Sequence, residues 1–304
     1  MTNPRIPYEM SSDRKKLKGP GSKQLIVHLV VNVEHWLFEA PMPRKIVTAP
    51  HGAENVPDIP NYSWAEYGMR CGMPRLLKVL GDRGLRADAC LNAGVIDAYP
   101  QVAEAMLKAG WEFQGHGIHQ QALSESDEAE LIGRTAEKLK AFTGQAPRGW
   151  IGPGLKESVE TPDLLKAAGF DYLCDWVIDD LPCWMTTKHG PLVVVPYTLE
   201  LNDSVIYAIE KHSSPEQYER LRFCLEALES ELQTGPRVLT LSFHHHLSGV
   251  LHRIGFVAKM LDLLLARSDT VYFTGAEICD WFTACEQARS RVEAYSAGAP
   301  TQPS

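Results

Sequence analysis

The sequence contains no long hydrophobic run, no C-x-x-C pair and no stretch in which basic and aromatic residues alternate. A membrane-spanning helix needs about 20 consecutive apolar residues, so we expect no membrane partner. The seven cysteines are scattered and odd in number, which disfavours a disulfide framework or a zinc ribbon. Basic residues are also scattered, on a chain of formal net charge −8, which disfavours nucleic acid as a partner.

The two ends of the sequence are polar. Residues 1–23 include no apolar segment of signal-peptide length, so we expect a cytoplasmic protein with an N-terminal arm. Residues 289–304 have the composition of a disordered tail. Residues 24–288 are predicted to form a single domain. Its proline-rich segment at about 38–68 is predicted to be a loop insertion without regular structure, as in a lid.

Short apolar stretches alternate with amphipathic ones along the chain, which predicts repeated strand–helix units. The predicted strands cover residues 24–34, 86–91, 111–115, 148–152, 170–175, 192–195, 237–243 and 270–274. Most lack strict polar–apolar alternation, as in strands of a parallel sheet that are buried on both faces. We therefore predict an α/β fold in which the strands form a barrel.

Polar side chains follow several of these strands, at the end where a parallel barrel collects its chemistry. They are Asn32, Glu34 and His35, then His116 and His119, then Asp175, and finally His244, His245 and His246. Each alone could be a hydrogen-bonded structural residue or, for Asp175, part of a turn. Their placement at successive strand ends favours a hydrolytic site, because hydrolysis needs a group that activates water and an acid for the departing nitrogen.

Seven sequence segments occur in an order that resembles the polysaccharide deacetylase superfamily. They are NVEHW, YGMRCGMPRLLKVLGDRG, MLKAGWEFQGHG, GQAPRGWIGPG, DDLPCW, VVVPYTLELND and SFHHHLSG, between about Val31 and Trp281. Within the superfamily the sequence is most similar to the branch with metal-independent allantoinases. The resemblance implies a distorted (β/α) barrel of about seven parallel strands, an active site at its mouth and hydrolysis of amide C–N bonds.

The resemblance also implies site residues. Glu34 matches the acidic position of metal-dependent members, and His116 matches the first histidine of their H-x-x-x-H pair. The fourth residue after His116 is Gln120, whereas His119 stands one place early. A zinc site of Glu34, His116 and either His119 or Gln120 stays open. Glutamine is a poor zinc ligand, so the sequence favours a site without a metal cofactor.

We therefore predict Glu34, His116 and His244 as the catalytic residues. Asn32, His119, Trp150, Asp175 and His246 are the predicted substrate-binding residues, with Trp150 as a wall of the pocket. In a metal-free site, either Glu34 or His116 deprotonates water while the other orients it. His244 then stabilises the oxyanion or protonates the leaving nitrogen.

The predicted activity is ring opening of a small cyclic amide, imide or ureide. Two alternatives stay open: a metal-dependent N-deacetylase of a carbohydrate or small N-acyl compound, and a non-catalytic member. Allantoinases of this branch tend to carry arginines just beyond the GW turn and after the last catalytic histidine. This sequence has Pro153, Gly154, His246 and Val250 there, which disfavours allantoin itself. A homo-oligomer is common in this branch, and we expect one here.

Overall fold

The computed structural model describes residues 3–48, 54–121 and 127–285. The strands are β1 (Leu25–Val33), β2 (Asp88–Leu91), β3 (Glu112–Gly115), β4 (Gly149–Trp150), β5 (Tyr172–Leu173), β6 (Cys183–Met185), β7 (Leu192–Val194), β8 (Arg237–His244) and β9 (Thr270–Tyr272). The helices are α1 (Ile59–Tyr67), α2 (Met73–Gly81), α3 (Val95–Ala98), α4 (Pro100–Lys108), α5 (Glu128–Thr143), α6 (Thr161–Ala167), α7 (Glu216–Leu232), α8 (Leu251–Leu265) and α9 (Gly275–Ala284).

The strands form one sheet in the order β6-β7-β5-β4-β3-β2-β1-β8, with β9 beside the start of β1. The pairs are parallel, except that β6 runs antiparallel to β7. The sheet curls into a half-barrel with helices around it, which confirms the predicted α/β fold with mostly parallel strands. Every residue of β1 is buried, as expected for a strand covered on both faces. The short strand β6 was missed by the sequence analysis.

The strand register places the candidate site. Val33, Leu91 and Gly115 lie side by side on β1, β2 and β3. Glu34 directly follows Val33 and His116 directly follows Gly115, so both residues leave the sheet at the same height. On the other side of β1, His244 pairs with Asn32. The carboxyl ends of these strands thus bring an acid and two imidazoles to one edge.

The prediction that residues 38–68 lack regular structure is wrong for the last part of that segment. Helix α1 begins after Asp58, whose side chain accepts a hydrogen bond from the Asn61 amide, and Pro60 lies in its first turn. Proline suits that place, since its missing N–H would be unsatisfied there anyway. Residues 49–53 of the segment lie outside the described residues.

A π-helical turn, Gly68–Gly72, joins α1 to α2 and packs against the histidine loop after β8. A Cβ on Gly72 would stand 2.0 Å from the carbonyl oxygen of His245, and one on Gly68 would stand 2.6 Å from the backbone nitrogen of His246. Only glycine permits such a close backbone approach. The turn therefore fixes the position of the histidine loop.

The N-terminal arm packs onto the domain within the described residues. Ile6 and Leu17 are buried, and the Arg5 guanidinium lies 2.8 Å from Asp163. The predicted disordered tail, 289–304, lies outside the described residues. No helix in the described part of the chain is both long enough and apolar enough to cross a membrane.

Candidate active site

The three predicted catalytic residues meet at the carboxyl end of the sheet. The His244 Nε2 atom lies 3.5 Å from Glu34 Oε1, and the charges of Glu34 and His244 both act on the pKa of His116. The exposed fractions are 6% for Glu34, 3% for His116 and 5% for His244. Such burial strengthens electrostatic interactions among the three side chains, because little water screens them.

Both carboxylate oxygens of Glu34 are engaged. Oε1 accepts a hydrogen bond from Gln120 Nε2 at 2.9 Å, and Oε2 accepts one from Trp36 Nε1 at 3.0 Å. Burial alone would raise the pKa of Glu34, but the hydrogen bond and charge of His244 hold it well below its ordinary value. Glu34 is therefore an ionised and firmly oriented carboxylate at neutral pH.

His244 is oriented by an acid that the sequence analysis missed. Its Nδ1 lies 2.6 Å from Asp203 Oδ1, while Asp203 Oδ2 accepts hydrogen bonds from the His244 amide at 2.7 Å and Ser248 Oγ at 2.6 Å. Burial would lower the pKa of His244, but the charge and hydrogen bond of Asp203, together with those of Glu34, raise it to about 9. His244 is thus an imidazolium at neutral pH.

His116 has the opposite protonation. Its Nδ1 bonds to the carbonyl oxygen of Ile151, and a carbonyl can only accept, so Nδ1 carries the proton. The Nε2 atom is then an unprotonated acceptor, and it is buried without a partner among the described residues. Burial lowers the pKa of His116, which keeps the ring neutral. His116 is therefore suited to accept a proton.

His119 does not join this group, which corrects the prediction of a metal ligand beside Glu34 and His116, while its predicted role in substrate binding stays a prediction. Its Nδ1 lies 3.0 Å from His35 Nδ1, because Gln120 N donates to the His35 carbonyl at 2.9 Å and this bond sets the loop register. Burial and the charge of His119 lower the pKa of His35 to about 4. The neutral ring pair ties the loop after β1 to the loop after β3.

A cavity of about 750 Å³ lies beside this ring pair. Its lining includes His35, Gly94, Asp97, His119, Arg134 and Lys138, but not Glu34, His116 or His244. The cavity is therefore separate from the catalytic group.

Trp150 and Asn32 are also placed differently from their predictions. The Trp150 indole is fully buried, with its ring against Phe170 and Gly115, so it belongs to the core and is not a pocket wall. The Asn32 amide donates to Ser242 Oγ at 2.7 Å and to Tyr197 OH at 3.2 Å. The Asn32 amide thus fills a buried polar network behind the catalytic group.

The predicted substrate-binding roles of Asp175 and His246 remain predictions. Both oxygens of Asp175 accept from the Gly152 amide, at 2.7 and 3.0 Å, while burial and then the charge of Glu157 raise the pKa of Asp175 well above its ordinary value. His246 lies next to His244 and between two indoles, with ring centroids 5.3 Å from Trp36 and 4.7 Å from Trp64. Burial lowers its pKa, so the ring is neutral.

The side chains at this site fit a metal ion poorly. Among the described residues, no group of three or more His, Cys, Asp and Glu side chains is arranged to hold one. Glu34 and His116 are strong metal ligands by residue type. The third side chain beside them is the Gln120 amide, which donates a hydrogen bond to Glu34. A structural or catalytic zinc site needs at least three strong protein ligands. His119, which would supply the third, lies at His35 instead.

Comparisons with known proteins agree with this fold. Residues 61–173 match the family description "Polysaccharide deacetylase". A putative polysaccharide deacetylase of Schizosaccharomyces pombe is 26% identical over 72% of this chain and 75% of its own. A peptidoglycan deacetylase of Helicobacter pylori is 26% identical over 50% of this chain and 53% of its own, so the match spans about half of that protein.

Solved structures with the same fold include an allantoinase and a pseudoenzyme. The Puue allantoinase superposes with a TM-score of 0.82 at 24% identity, covering 94% of this chain and 99% of its own. A CE4 family pseudoenzyme from Bacillus anthracis reaches 0.53 at 13% identity, covering 90% of this chain and 73% of its own. Residues 61–173 therefore carry a polysaccharide deacetylase domain, and the chain as a whole has the fold of these solved structures.

Proposed function

We propose that the protein is a hydrolase that opens the C–N bond of a small cyclic amide, imide or ureide, without a metal cofactor. The observation that carries this proposal is the pairing of opposite protonation states in one buried group. His116 presents an unprotonated Nε2, whereas His244 is held as an imidazolium by Asp203 and Glu34. Amide hydrolysis needs both a proton acceptor for water and a proton donor for the leaving nitrogen.

The reaction follows from these roles. His116 Nε2 takes a proton from water as the water oxygen attacks the scissile carbonyl carbon. The His244 imidazolium stabilises the negative charge on the carbonyl oxygen and then gives its proton to the nitrogen as the C–N bond breaks. Glu34 is ionised with a lowered pKa, which makes it a weak base, so its role is to orient water and balance the imidazolium.

The comparisons support hydrolysis of a C–N bond, since the chain has a polysaccharide deacetylase domain and one relative is named a peptidoglycan deacetylase. A metal-dependent N-deacetylase is the second candidate. It is favoured by two buried atoms without partners among the described residues, His116 Nε2 and Gln120 Oε1, which a bound ion would satisfy. A non-catalytic role is the third, since the same fold occurs in a pseudoenzyme.

The test is a substrate panel with and without chelator, on protein whose metal content has been measured. Succinimide, glutarimide, hydantoin, dihydrouracil and allantoin are assayed for ring opening, and N-acetylated sugars are assayed for acetate release. The proposal expects ring opening that survives chelator. Acetate release that chelator abolishes and zinc restores would establish the second candidate, and no turnover of either class would contradict the proposal and favour the third.

Variants assign the activity to the site. His116→Gln and His244→Gln are each expected to lower kcat/KM by about 10²–10⁴-fold, the range for loss of a general acid or base. His212→Gln is the matched control, because its exposed ring lies near Glu210 and Glu216, away from the catalytic group. We also propose that the protein is a homo-oligomer, which size-exclusion chromatography with light scattering tests, and that it is cytoplasmic, which cell fractionation tests.

A further inference from the structure

Arg44 is a cation that the proposed reaction does not use. It lies on the segment between β1 and α1, and its Nη1 atom is buried without a hydrogen-bond partner among the described residues. Its neighbour Lys45, in contrast, forms an ion pair with Glu54. A buried guanidinium nitrogen without an acceptor costs free energy, which indicates that a ligand supplies the acceptor.

The chain is anchored on both sides of Arg44. On one side, Met42 is buried with Trp36 and Ala65. On the other side, the amides of Ile46 and Val47 donate to Asn61 Oδ1 at 2.8 and 3.0 Å. The position of the arginine backbone is therefore set by the fold.

This segment borders the catalytic group. Trp36, on which the segment packs, donates to Glu34 and has its ring 5.3 Å from that of His246. The pKa of Glu34 is governed mainly by burial and His244, and the pKa of His246 mainly by burial and His245. The charge of Arg44 adds a smaller effect that lowers both pKa values. The charge of Arg44 is therefore close enough to act on two side chains of the site.

We propose that Arg44 binds a carboxylate of the substrate, so that the substrate class is a cyclic amide, imide or ureide bearing an acidic group. This inference rests on the proposed function for the ring. A carboxylate satisfies the buried donor and balances its charge, and guanidinium–carboxylate hydrogen bonds are among the strongest in proteins. Allantoinases of the resembling branch tend to carry arginines where this sequence has Pro153 and Val250. Arg44 thus supplies a cation from a different segment, the one after β1.

The test compares two ligands that differ only in charge, hydantoin-5-acetate and its neutral amide, hydantoin-5-acetamide. Binding is followed by the fluorescence of the tryptophans near Arg44, and ring opening is measured by chromatography on the same samples. We expect the wild-type protein to bind the acid about 10–100-fold more tightly than the amide, as one charge-assisted contact allows.

Arg44→Gln is expected to remove that preference, because it should weaken binding of the acid and leave binding of the amide unchanged. Arg44→Lys is expected to retain part of the preference. Lys45→Gln is the matched control, because it removes a neighbouring charge that is already paired with Glu54 and should leave the preference intact. Circular dichroism and thermal unfolding establish that each variant is folded, and Arg44→Lys carries the test if Arg44→Gln does not fold.

Four outcomes would overturn the inference. They are equal binding of both ligands by the wild-type protein, no binding of either, equal losses for both ligands in Arg44→Gln, and the same loss of preference in Lys45→Gln. Equal losses for both ligands in Arg44→Gln would indicate that Arg44 binds a neutral carbonyl. The same loss of preference in Lys45→Gln would indicate that the net positive charge of the segment, and not a contact with Arg44, favours the acid. Selective binding of the acid without ring opening would support the assignment of Arg44 and contradict the proposed function.

Discussion

The Nδ1 atom of His244 lies 2.6 Å from Oδ1 of Asp203, inside a site that water hardly reaches. This contact fixes which nitrogen of His244 faces Asp203 and leaves Nε2 toward Glu34. It also contributes to the charge of the ring, since Asp203 and Glu34 together outweigh the effect of burial and raise the pKa of His244 to about 9. A proton donor is thereby available at neutral pH, where an unperturbed histidine is mostly neutral.

Replacing Asp203 should therefore change the pH dependence of the reaction. A histidine whose pKa is raised on folding keeps its charge, and the stability that goes with it, below its unfolded pKa of about 6.5. Both are lost as the pH rises through about 9. Asp203→Asn is expected to move the alkaline limb of the kcat/KM profile from about pH 9 to lower pH, because Glu34 alone then opposes the effect of burial.

The pH–rate profile of the ring-opening reaction measures this shift. Ser248→Ala is the control, since it removes another hydrogen bond to Asp203 and should leave the alkaline limb near pH 9. An unchanged limb in Asp203→Asn would contradict the assignment of His244 as the acid.

Gln120→His should create a metal site. The variant places a histidine four residues after His116, on a loop position whose side chain already lies 2.9 Å from Glu34. Glu34 and two histidines are a ligand set typical of zinc. We expect about one zinc ion per chain by elemental analysis, against substoichiometric metal in the wild-type protein.

A second substitution in the Gln120→His background controls for His119. Because the His119 ring lies at His35, adding His119→Gln should leave the zinc content unchanged. Loss of zinc on that second change would show that the loop after β3 takes a different register from the one described.

Gly94→Ala should disrupt the link between the loops after β1 and β3. A Cβ at position 94 would stand 2.5 Å from His35 Nδ1, 2.7 Å from the Ile118 carbonyl oxygen and 3.0 Å from His119 Nδ1. Backbone atoms cannot give way cheaply, so we expect a loss of about 1–3 kcal/mol in the free energy of unfolding. Activity should fall too, because Gln120 and Glu34 depend on these loops.

Gly133→Ala is the matched control. A Cβ there meets no atom within 4 Å, and alanine is favoured over glycine inside a helix by about 0.5–1 kcal/mol. Denaturant unfolding should therefore show the two glycine-to-alanine changes acting in opposite directions. Equal effects would mean that the ring pair is not constrained as described.

Glu112 should make the stability of the fold depend on pH. Burial, and then the charge of Asp88, raises its pKa to about 7, although Tyr172 OH donates to it at 2.7 Å. A carboxyl group with a raised pKa gives its full contribution below the unfolded value of about 4.3, and that contribution is lost as the pH rises through about 7.

Glu112→Gln is expected to remove this part of the pH dependence, so that the difference in Tm between pH 5 and pH 8 becomes smaller. Differential scanning calorimetry across that range measures it. Asp82→Asn is the control, because Asp82 is exposed and pairs with Lys78 at the surface, and it should leave the difference as in the wild-type protein. A steeper dependence in Glu112→Gln would contradict the assignment.

Several features of the site could be predicted from local sequence alone. Glu34 and His116 each follow a buried apolar strand, and parallel neighbours bring their carboxyl ends to one edge. His244 ends the next strand on the other side of β1. The α/β fold and the convergence of these three residues were therefore predictable, because both depend only on strand pattern and direction.

Other features depend on how loops pack. A bridge between Asn202 and Ser242 holds the segment of Asp203 beside β8. The segment VVVPYTLELND ends at Asp203, but the sequence does not show that this acid contacts His244. Arg44 comes from a segment predicted only as irregular.

The sequence by itself determined which residue types stand at the ends of the strands, since apolar patterning is a local property of the chain. Only the tertiary structure decided their partners and protonation states. His119 faces His35 instead of Glu34 because one backbone hydrogen bond sets the loop register, and the charge of His244 depends on an acid 41 residues away in sequence. Partners and protonation depend on distances and burial between distant segments, which no local pattern encodes.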